Sequence, residues 1–146
     1  MTDARDVFEE LAQAAIEGRI EDLVARVQLP LAIYLAKNTM VFSDVEQFRR
    51  GAKLYIATLA ETRLARVKLD VLEEEASRGA EACFLVRASY LDADGNLIGD
   101  SENRWFGTYV DGDLRFQVVE VVRMPLPASM LPKELFDEGT GGNETA

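Results

Sequence analysis

The sequence predicts an α+β domain in which three N-terminal helices pack on a curved antiparallel sheet. Apolar residues recur at helical spacing in the first part of the chain, and from Ala65 onward they alternate with polar residues. Two Asp-Gly pairs, Asp94-Gly95 and Asp111-Gly112, then divide the last third of the chain into alternating runs. Asp-Gly between such runs predicts a hairpin, because both central residues of a type I′ turn need a positive φ.

The N-terminal half contains the three predicted helices. The first runs from about Thr2 to Glu17 and is followed by Gly18, while a short second helix from Ile20 ends before Pro30. The third begins at Ser43-Asp44-Val45-Glu46, which has the form of a capping box. Its apolar stripe recurs at helical spacing and consists of Val45, Phe48, Ala52, Tyr55 and Leu59.

Strands are predicted between the second and third helices and throughout the C-terminal half. The segments 31–35 and 39–42 form a short pair around a turn at Lys37-Asn38, although 31–36 alone could also be helical. Longer strands follow at about 65–75, 81–92, 97–110 and 114–123. We therefore expect one domain over residues 1–124 and a C-terminal extension over 125–146 that is flexible at its end.

Centring the two hairpins on their Asp-Gly pairs predicts which side chains share a face of the sheet. In this register Trp105 lies opposite both Phe84 and Val118, and Asn103 lies opposite Glu120. The face that we expect to meet the helices is apolar and aromatic. Its predicted members are Phe84, Val86, Ala88, Tyr90, Asn103, Trp105, Gly107, Tyr109, Leu114, Phe116, Val118, Glu120 and Val122.

Glu120 is the candidate catalytic residue on that face. A carboxylate among Phe116, Val118 and Val122 would be desolvated, and such a setting suits an acid or a base. A structural alternative is that Glu120 pairs with Asn103 or an arginine, or lies at the exposed end of the sheet. The candidate ligand-binding residues are Tyr34, Tyr55, Asn103, Trp105 and Tyr109, whose rings could equally belong to a packed core.

Charge and composition limit the possible partners. A net charge of −10 argues against nucleic acid and anionic membranes, since both bind basic protein surfaces. No apolar run reaches the roughly 18–20 residues that span a bilayer, and the first residues lack the features of a signal peptide, so a cytoplasmic location is expected. The chain has no histidine and a lone Cys83, and no motif indicates a metal or a cofactor.

The order of these elements resembles the nuclear transport factor 2-like fold, a cone-shaped α+β family, over about residues 3–123. The stretches that carry the resemblance are Ser43-Asp44-Val45-Glu46-Gln47-Phe48, which opens the long helix, and the hairpin from Asn103-Arg104-Trp105-Phe106 to Asp111-Gly112-Asp113-Leu114-Arg115-Phe116. The chain resembles the broad bacterial group that includes polyketide-cyclase (SnoaL-like) and steroid-isomerase-like proteins.

The resemblance implies a cavity between the sheet and the helices that holds a small apolar ligand or supports proton transfer. The carboxylate base that steroid isomerases carry after the second helix has no counterpart, because no residue between Asp22 and Asp44 is acidic. We therefore expect a small apolar-ligand-binding domain with a hydrophobic pocket. A proton-transfer enzyme of the isomerase, cyclase or dehydratase type is a further hypothesis, and the alternative is a non-enzymatic homodimeric association module with a filled cavity.

The second face of the sheet predicts self-association. Apolar side chains on this face are surrounded by arginines and other polar groups, a composition typical of an interface. Because helices are expected to cover the opposite face, a monomer would leave these groups exposed. The resemblance also implies dimers through the sheet. We expect a twofold homodimer through the face that carries Leu85, Phe106, Val119 and Val121.

Overall fold

Helices and strands follow one another along the chain in the predicted order. A computed structural model describes residues 3–76 and 79–123, so the predicted C-terminal extension lies outside the described residues. The elements are α1 (Ala4–Glu17), α2 (Ile20–Val24), β1 (Val27–Tyr34), β2 (Thr39–Phe42), α3 (Val45–Ala60), β3 (Arg66–Ala76), β4 (Glu81–Leu91), β5 (Leu97–Val110) and β6 (Asp113–Arg123). Among the described residues, no helix is long and apolar enough to cross a membrane.

The described strands form one curved sheet in the order β2-β1-β6-β5-β4-β3, with the three helices packed against it. All neighbouring strands are antiparallel except β1 and β6, which run parallel. The prediction of an antiparallel sheet was therefore wrong, because the sheet is mixed. Turn residues in a sequence predict hairpins between consecutive strands. They cannot predict the parallel pairing of β1 with β6, because these strands are separated by most of the chain.

Local hydrogen bonds set the ends of the helices. The Asp3 side chain accepts from the backbone N–H of Arg5 at the start of α1, and Gly18 ends that helix at a φ of 73°. At α3 the predicted capping box was displaced by one residue. Asp44 rather than Ser43 is the N-cap, and its carboxylate accepts from the backbone N–H of Gln47 at 2.8 Å.

The second helix is shorter than predicted and β1 is longer. α2 ends at Val24, and β1 already begins at Val27, so that Pro30 lies within a strand rather than at the end of a helix. Proline has no backbone N–H to donate to a neighbouring strand. The pairing of β1 with β6 shifts register between Val27 and Ala32. Pro30 lies within this irregular stretch, where a missing N–H donor does not interrupt regular strand pairing.

The two Asp-Gly turns differ in conformation. Asp111 and Gly112 both have positive φ, 53° and 86°, as the type I′ turn requires, and they join β5 directly to β6. At the earlier turn Gly95 has a φ of 86°, and the loop between β4 and β5 is longer. The Asp92 side chain stabilises this loop by accepting hydrogen bonds from the backbone N–H groups of Asp94 and Asn96. The predicted register nevertheless holds between β4 and β5, where Phe84 pairs with Trp105 and Val86 pairs with Asn103.

A β-bulge at Gln117 changes the predicted faces of β6. Gly107 pairs with Phe116 but Phe106 pairs with Val118, which leaves Gln117 as an extra residue. Side chains alternate along a strand, so one extra residue turns the side chains that follow it to the opposite face, here as far as Val121, where the register shifts a second time. Beyond the bulge the predicted pairing was wrong, because Trp105 lies opposite Val119 and Asn103 lies opposite Val121.

The core consists of two clusters on the face of the sheet that meets the helices, which we call the inner face. One cluster packs α1 against β3–β6 around Phe8, Phe84 and Phe116, and the other packs α3 against β1 and β2 around Phe42 and Phe48. The Trp105 ring contacts both clusters. Together the clusters enclose a space between the sheet and the helices.

Candidate functional site

A cavity of about 310 Å³ lies between the inner face of the sheet and the three helices. This volume is at the lower end of the range of small-molecule sites. Every described helix and strand contributes to its wall, which is formed by Phe8, Leu11, Ala12, Ala15, Ile16, Leu23, Val27, Leu31, Ile33, Leu35, Met40, Phe42, Phe48, Gly51, Ala52, Tyr55, Leu59, Leu64, Val67, Leu69, Val86, Ala88, Tyr90, Ser101, Asn103, Trp105, Phe116, Val119 and Val121.

The wall is apolar apart from a few neutral polar side chains. Its hydrogen-bonding side chains are Tyr55 of α3, Tyr90 of β4, and Ser101, Asn103 and Trp105 of β5. None of the wall residues within the described part of the chain is an aspartate, glutamate, lysine or arginine. A charged group in this space would therefore lose its hydration without gaining an ionic partner.

Three hydroxyl groups in the wall lie close together. The Tyr90 hydroxyl lies 3.1 Å from Oγ of Ser101, and the Tyr55 hydroxyl interacts with that of Tyr90. Burial raises the pKa of both tyrosines, because the phenolate would be desolvated, and the interaction with Tyr90 raises the pKa of Tyr55 further. Both phenols are consequently neutral at physiological pH.

Asn103 has no comparable partner. Its Oδ1 is buried and accepts no hydrogen bond in the described structure. The reason lies in the sheet register, because Asn103 pairs with Val86 on one side and Val121 on the other, and neither side chain can donate. Buried polar atoms without partners are uncommon in folded proteins, and each costs about 1–3 kcal/mol.

Trp105 and α1 close one side of the cavity through aromatic contacts. The indole ring lies 5.3 Å from the ring centroid of Phe8 and 5.1 Å from that of Phe116, in edge-on geometry in both cases. Phe84 lies behind this group and is completely buried. The aromatic residues thus form a packed wall next to the cavity without filling it.

Gly51 allows α3 to pack closely against Phe42 on the opposite side of the cavity. A Cβ atom at this position would lie 2.5 Å from Cε1 of Phe42, which is closer than carbon atoms can approach without one of them moving. The Phe42 ring belongs to the wall and is almost fully buried. The absence of a side chain at position 51 therefore contributes to the shape of the cavity.

The structure brings together three of the residues that the sequence singled out. Tyr55, Asn103 and Trp105 all belong to the cavity wall. Tyr34 does not, because it lies on the outer face of the sheet with 47% of its surface exposed. Tyr109 packs on the core cluster around Phe84 and lies outside the cavity wall.

The predicted position of Glu120 was wrong. The bulge at Gln117 turns its side chain to the outer face, where Oε1 lies 3.4 Å from Nη1 of Arg104. The carboxylate is half exposed, so it is not the desolvated group that its sequence neighbours indicated. The structural alternative, pairing with an arginine, is the one observed.

Two polar wall residues were not singled out from the sequence. Tyr90 was placed on the correct face, but nothing in the sequence distinguished its hydroxyl from that of other tyrosines. Ser101 could have been found, because it precedes Asn103 by two residues on β5 and so points to the same face. It is 1% exposed, and its hydrogen bond to Tyr90 explains how a serine is accommodated there.

The bulge also changes the composition of the outer face. Val119 and Val121, which were predicted to lie there, belong to the cavity wall instead. Phe106 lies on the outer face as predicted. Val122, which was predicted to face the helices, lies there too, together with Tyr34 of β1 and Val41 of β2. We call this set of exposed apolar residues, with Val118 between them, the outer band.

Comparisons with family models and with curated proteins found no match. Solved structures do match. A cystatin-like domain of unknown function from Nostoc punctiforme has a TM-score of 0.65 at 14% identity, over 88% of this chain and 82% of that one. Aln2 from a Streptomyces species has a TM-score of 0.63 at 15% identity, over 82% of this chain and 87% of that one.

An NTF-2 like protein of unknown function from Shewanella oneidensis has a TM-score of 0.63 at 7% identity, over 81% of this chain and 94% of that one. These identities are too low to transfer an activity. The similarity extends over most of each chain and includes both the helices and the sheet. The chain therefore has the nuclear transport factor 2-like, or cystatin-like, fold that its sequence resembles.

Proposed function

We propose that the protein binds one small, largely apolar molecule in the cavity between its sheet and its helices. The observation that carries this proposal is a cavity of about 310 Å³ whose apolar wall contains an unpartnered amide oxygen, Asn103 Oδ1. A filled cavity, as in an association module, would have supported the alternative. The packed rings of Phe84, Trp105 and Phe116 instead leave the space beside them open.

Binding is favoured over proton transfer by the chemistry of the wall. A general base that works near neutral pH is usually a carboxylate or a histidine, and the described wall contains neither. The two phenols are poor bases, and their raised pKa values also make them weak acids. A SnoaL-like enzymatic role therefore has less support from the described residues than a binding role.

Purification without added ligand, followed by native mass spectrometry, tests the proposal directly. We expect a mass above that of the chain, which disappears after denaturation and is recovered in an organic extract. Titration with a neutral two-ring probe such as 2-naphthol provides a second test, measured by calorimetry. Leu59→Trp, which would fill the cavity from α3, should abolish binding of the probe, whereas Leu97→Trp at an exposed strand end should not.

We further propose that two copies associate through the outer band. Tyr34, Phe106 and Val122 expose 47%, 37% and 50% of their surfaces, and no described helix covers them. The Arg104–Glu120 pair lies within the band and carries both signs of charge. A twofold-related copy can therefore place its Glu120 beside Arg104, which favours a second copy over an acidic or a basic partner.

A further inference from the structure

The hydrogen-bonding groups of the cavity wall follow one row along β5. Ser101, Asn103 and Trp105 alternate on the inner face, so successive members are about 7 Å apart. Ser101 is already paired with Tyr90. Asn103 is flanked by valines on both neighbouring strands, so the described part of the chain provides no donor for Oδ1. Because Asn103 belongs to the cavity wall, we expect the donor to come from a molecule in the cavity.

Tyr55 lies in the same wall, and its hydroxyl can accept as well as donate a hydrogen bond. It is therefore compatible with a donor on the ligand. Asn103 Oδ1 can only accept, so this oxygen calls for a donor. A ligand that carries an O–H or N–H group matches this arrangement, whereas one that carries acceptors alone does not.

The wall also restricts the charge of the ligand. Because the described wall residues are neutral, an ionised carboxylate or ammonium group would be desolvated without compensation. The same argument does not apply to an alcohol, a phenol or an amide N–H, which loses few hydrogen bonds with water and regains one from the protein.

We infer that the ligand is an uncharged, largely apolar molecule with a hydroxyl or N–H group that donates a hydrogen bond to Asn103 Oδ1. This inference rests on the proposed binding function. A carbonyl ligand could accept from Nδ2 of Asn103, but it would leave Oδ1 unpartnered. The carbonyl ligand would therefore gain less than a hydroxyl ligand of the same shape.

A matched series of two-ring probes tests the inference at neutral pH by calorimetry. 2-Naphthol carries the donor, 2-methoxynaphthalene lacks it, 2-naphthaldehyde offers an acceptor alone, and 2-naphthoate is charged. We expect 2-naphthol to bind about tenfold more tightly than the ether or the aldehyde, the difference made by one hydrogen bond to a buried group. We expect no binding of 2-naphthoate.

The Asn103→Leu variant tests whether the ligand hydroxyl donates its hydrogen bond to Asn103. In this variant 2-naphthol should bind only as tightly as 2-methoxynaphthalene, because the amide oxygen is gone while the number and branching of the side-chain heavy atoms are unchanged. Val121→Ala is the matched control, since it changes the neighbouring part of the wall without removing a polar atom. It should weaken both probes and preserve their ratio.

The outcomes separate the inference from the proposed function. Equal binding of the alcohol and the ether, tighter binding of the aldehyde, or binding of the naphthoate would overturn the inference and leave the binding function in place. Failure of every neutral probe to bind would overturn both. The wild-type series decides these points even if Asn103→Leu does not fold.

Discussion

Trp105 and Val119 lie opposite each other on β5 and β6, and both side chains belong to the wall of the cavity. This pairing exists because Gln117 is an extra residue in β6. With regular pairing, Val118 and Glu120 would face the helices, and a carboxylate would enter an otherwise neutral wall. The bulge therefore decides both the polarity of the cavity and the composition of the outer face.

Insertion of one alanine after Gln117 tests this role of the bulge. With the bulge still one residue in size, the insertion moves the following residues by one position, which turns Glu120 inward and Val119 and Val121 outward. The variant would bury an unpaired carboxylate and expose two core residues, so we expect a loss of more than about 3 kcal/mol in the free energy of unfolding, measured by urea denaturation. Gln117→Ala keeps the residue count and should stay within about 1 kcal/mol of the wild type. An insertion variant as stable as the wild type would contradict this account.

Asn103→Leu should stabilise the protein in the absence of ligand. The substitution removes a buried amide oxygen that has no partner, and a leucine fits the apolar environment between Val86 and Val121. We expect a gain of about 1–2 kcal/mol in the free energy of unfolding, followed through the fluorescence of the lone tryptophan, Trp105. Ser101→Ala should instead lower the free energy of unfolding, because it deprives the buried Tyr90 hydroxyl of its hydrogen-bond partner. A destabilising Asn103→Leu would mean that the amide is satisfied.

Gly51→Ala should distort the cavity. The added methyl group would lie 2.5 Å from Cε1 of Phe42, so this ring, which belongs to the cavity wall, must move. Overpacking of this kind costs about 1–3 kcal/mol, and the better helix propensity of alanine offsets up to about 1 kcal/mol of it. We expect a net destabilisation together with weaker binding of 2-naphthol. Ala57→Gly, at an exposed position of the same helix, calibrates the propensity contribution and should leave binding unchanged.

The helices and the hairpins could be predicted because their signals are local. Asp111-Gly112 set the register of its hairpin as far as Phe116, and the apolar stripe of α3 identified the helix face that meets the core. The start of β1 could not be predicted in the same way. Its parallel neighbour, β6, is far along the chain, and Pro30 taken alone indicates the end of a helix.

The candidate site was predicted in part for the same reason. Asn103 and Trp105 lie on β5, whose faces follow from the regular hairpin with β4, and both were placed correctly. Glu120 lies beyond the bulge, where a prediction from strict alternation is inverted. A bulge residue such as Gln117 has no distinctive residue type, so only the pairing of the two strands identifies it.

Alkaline pH should destabilise the protein through Tyr55 and Tyr90. Both have a pKa above the ordinary value of 10.0, so the unfolded chain releases these protons at a lower pH than the folded chain. Their contribution to stability is therefore complete below pH 10 and is lost as the pH rises further, at up to about 1.4 kcal/mol per pH unit for each tyrosine. Tyr55→Phe should make this decline less steep in urea denaturation curves. Phe48→Leu, on the same helix, should lower the whole curve without changing its slope.

Phe106→Glu should separate the proposed dimer. In a twofold interface each copy places Phe106 within the other copy's outer band, so the variant buries two carboxylates among Tyr34, Val118 and Val122. Sedimentation equilibrium at tens of micromolar should show a dimer for the wild type and a monomer for the variant. Leu97→Glu is the matched control, because Leu97 is 63% exposed at the far end of β5 and should not affect association. A monomeric wild type would contradict the proposal, while an unchanged dimer in Phe106→Glu would mean that association uses a different surface.

The Arg104–Glu120 ion pair offers a second measurement of the proposed dimer. Glu120→Lys places like charges at Arg104 in both copies and should weaken the dimer most strongly at low salt.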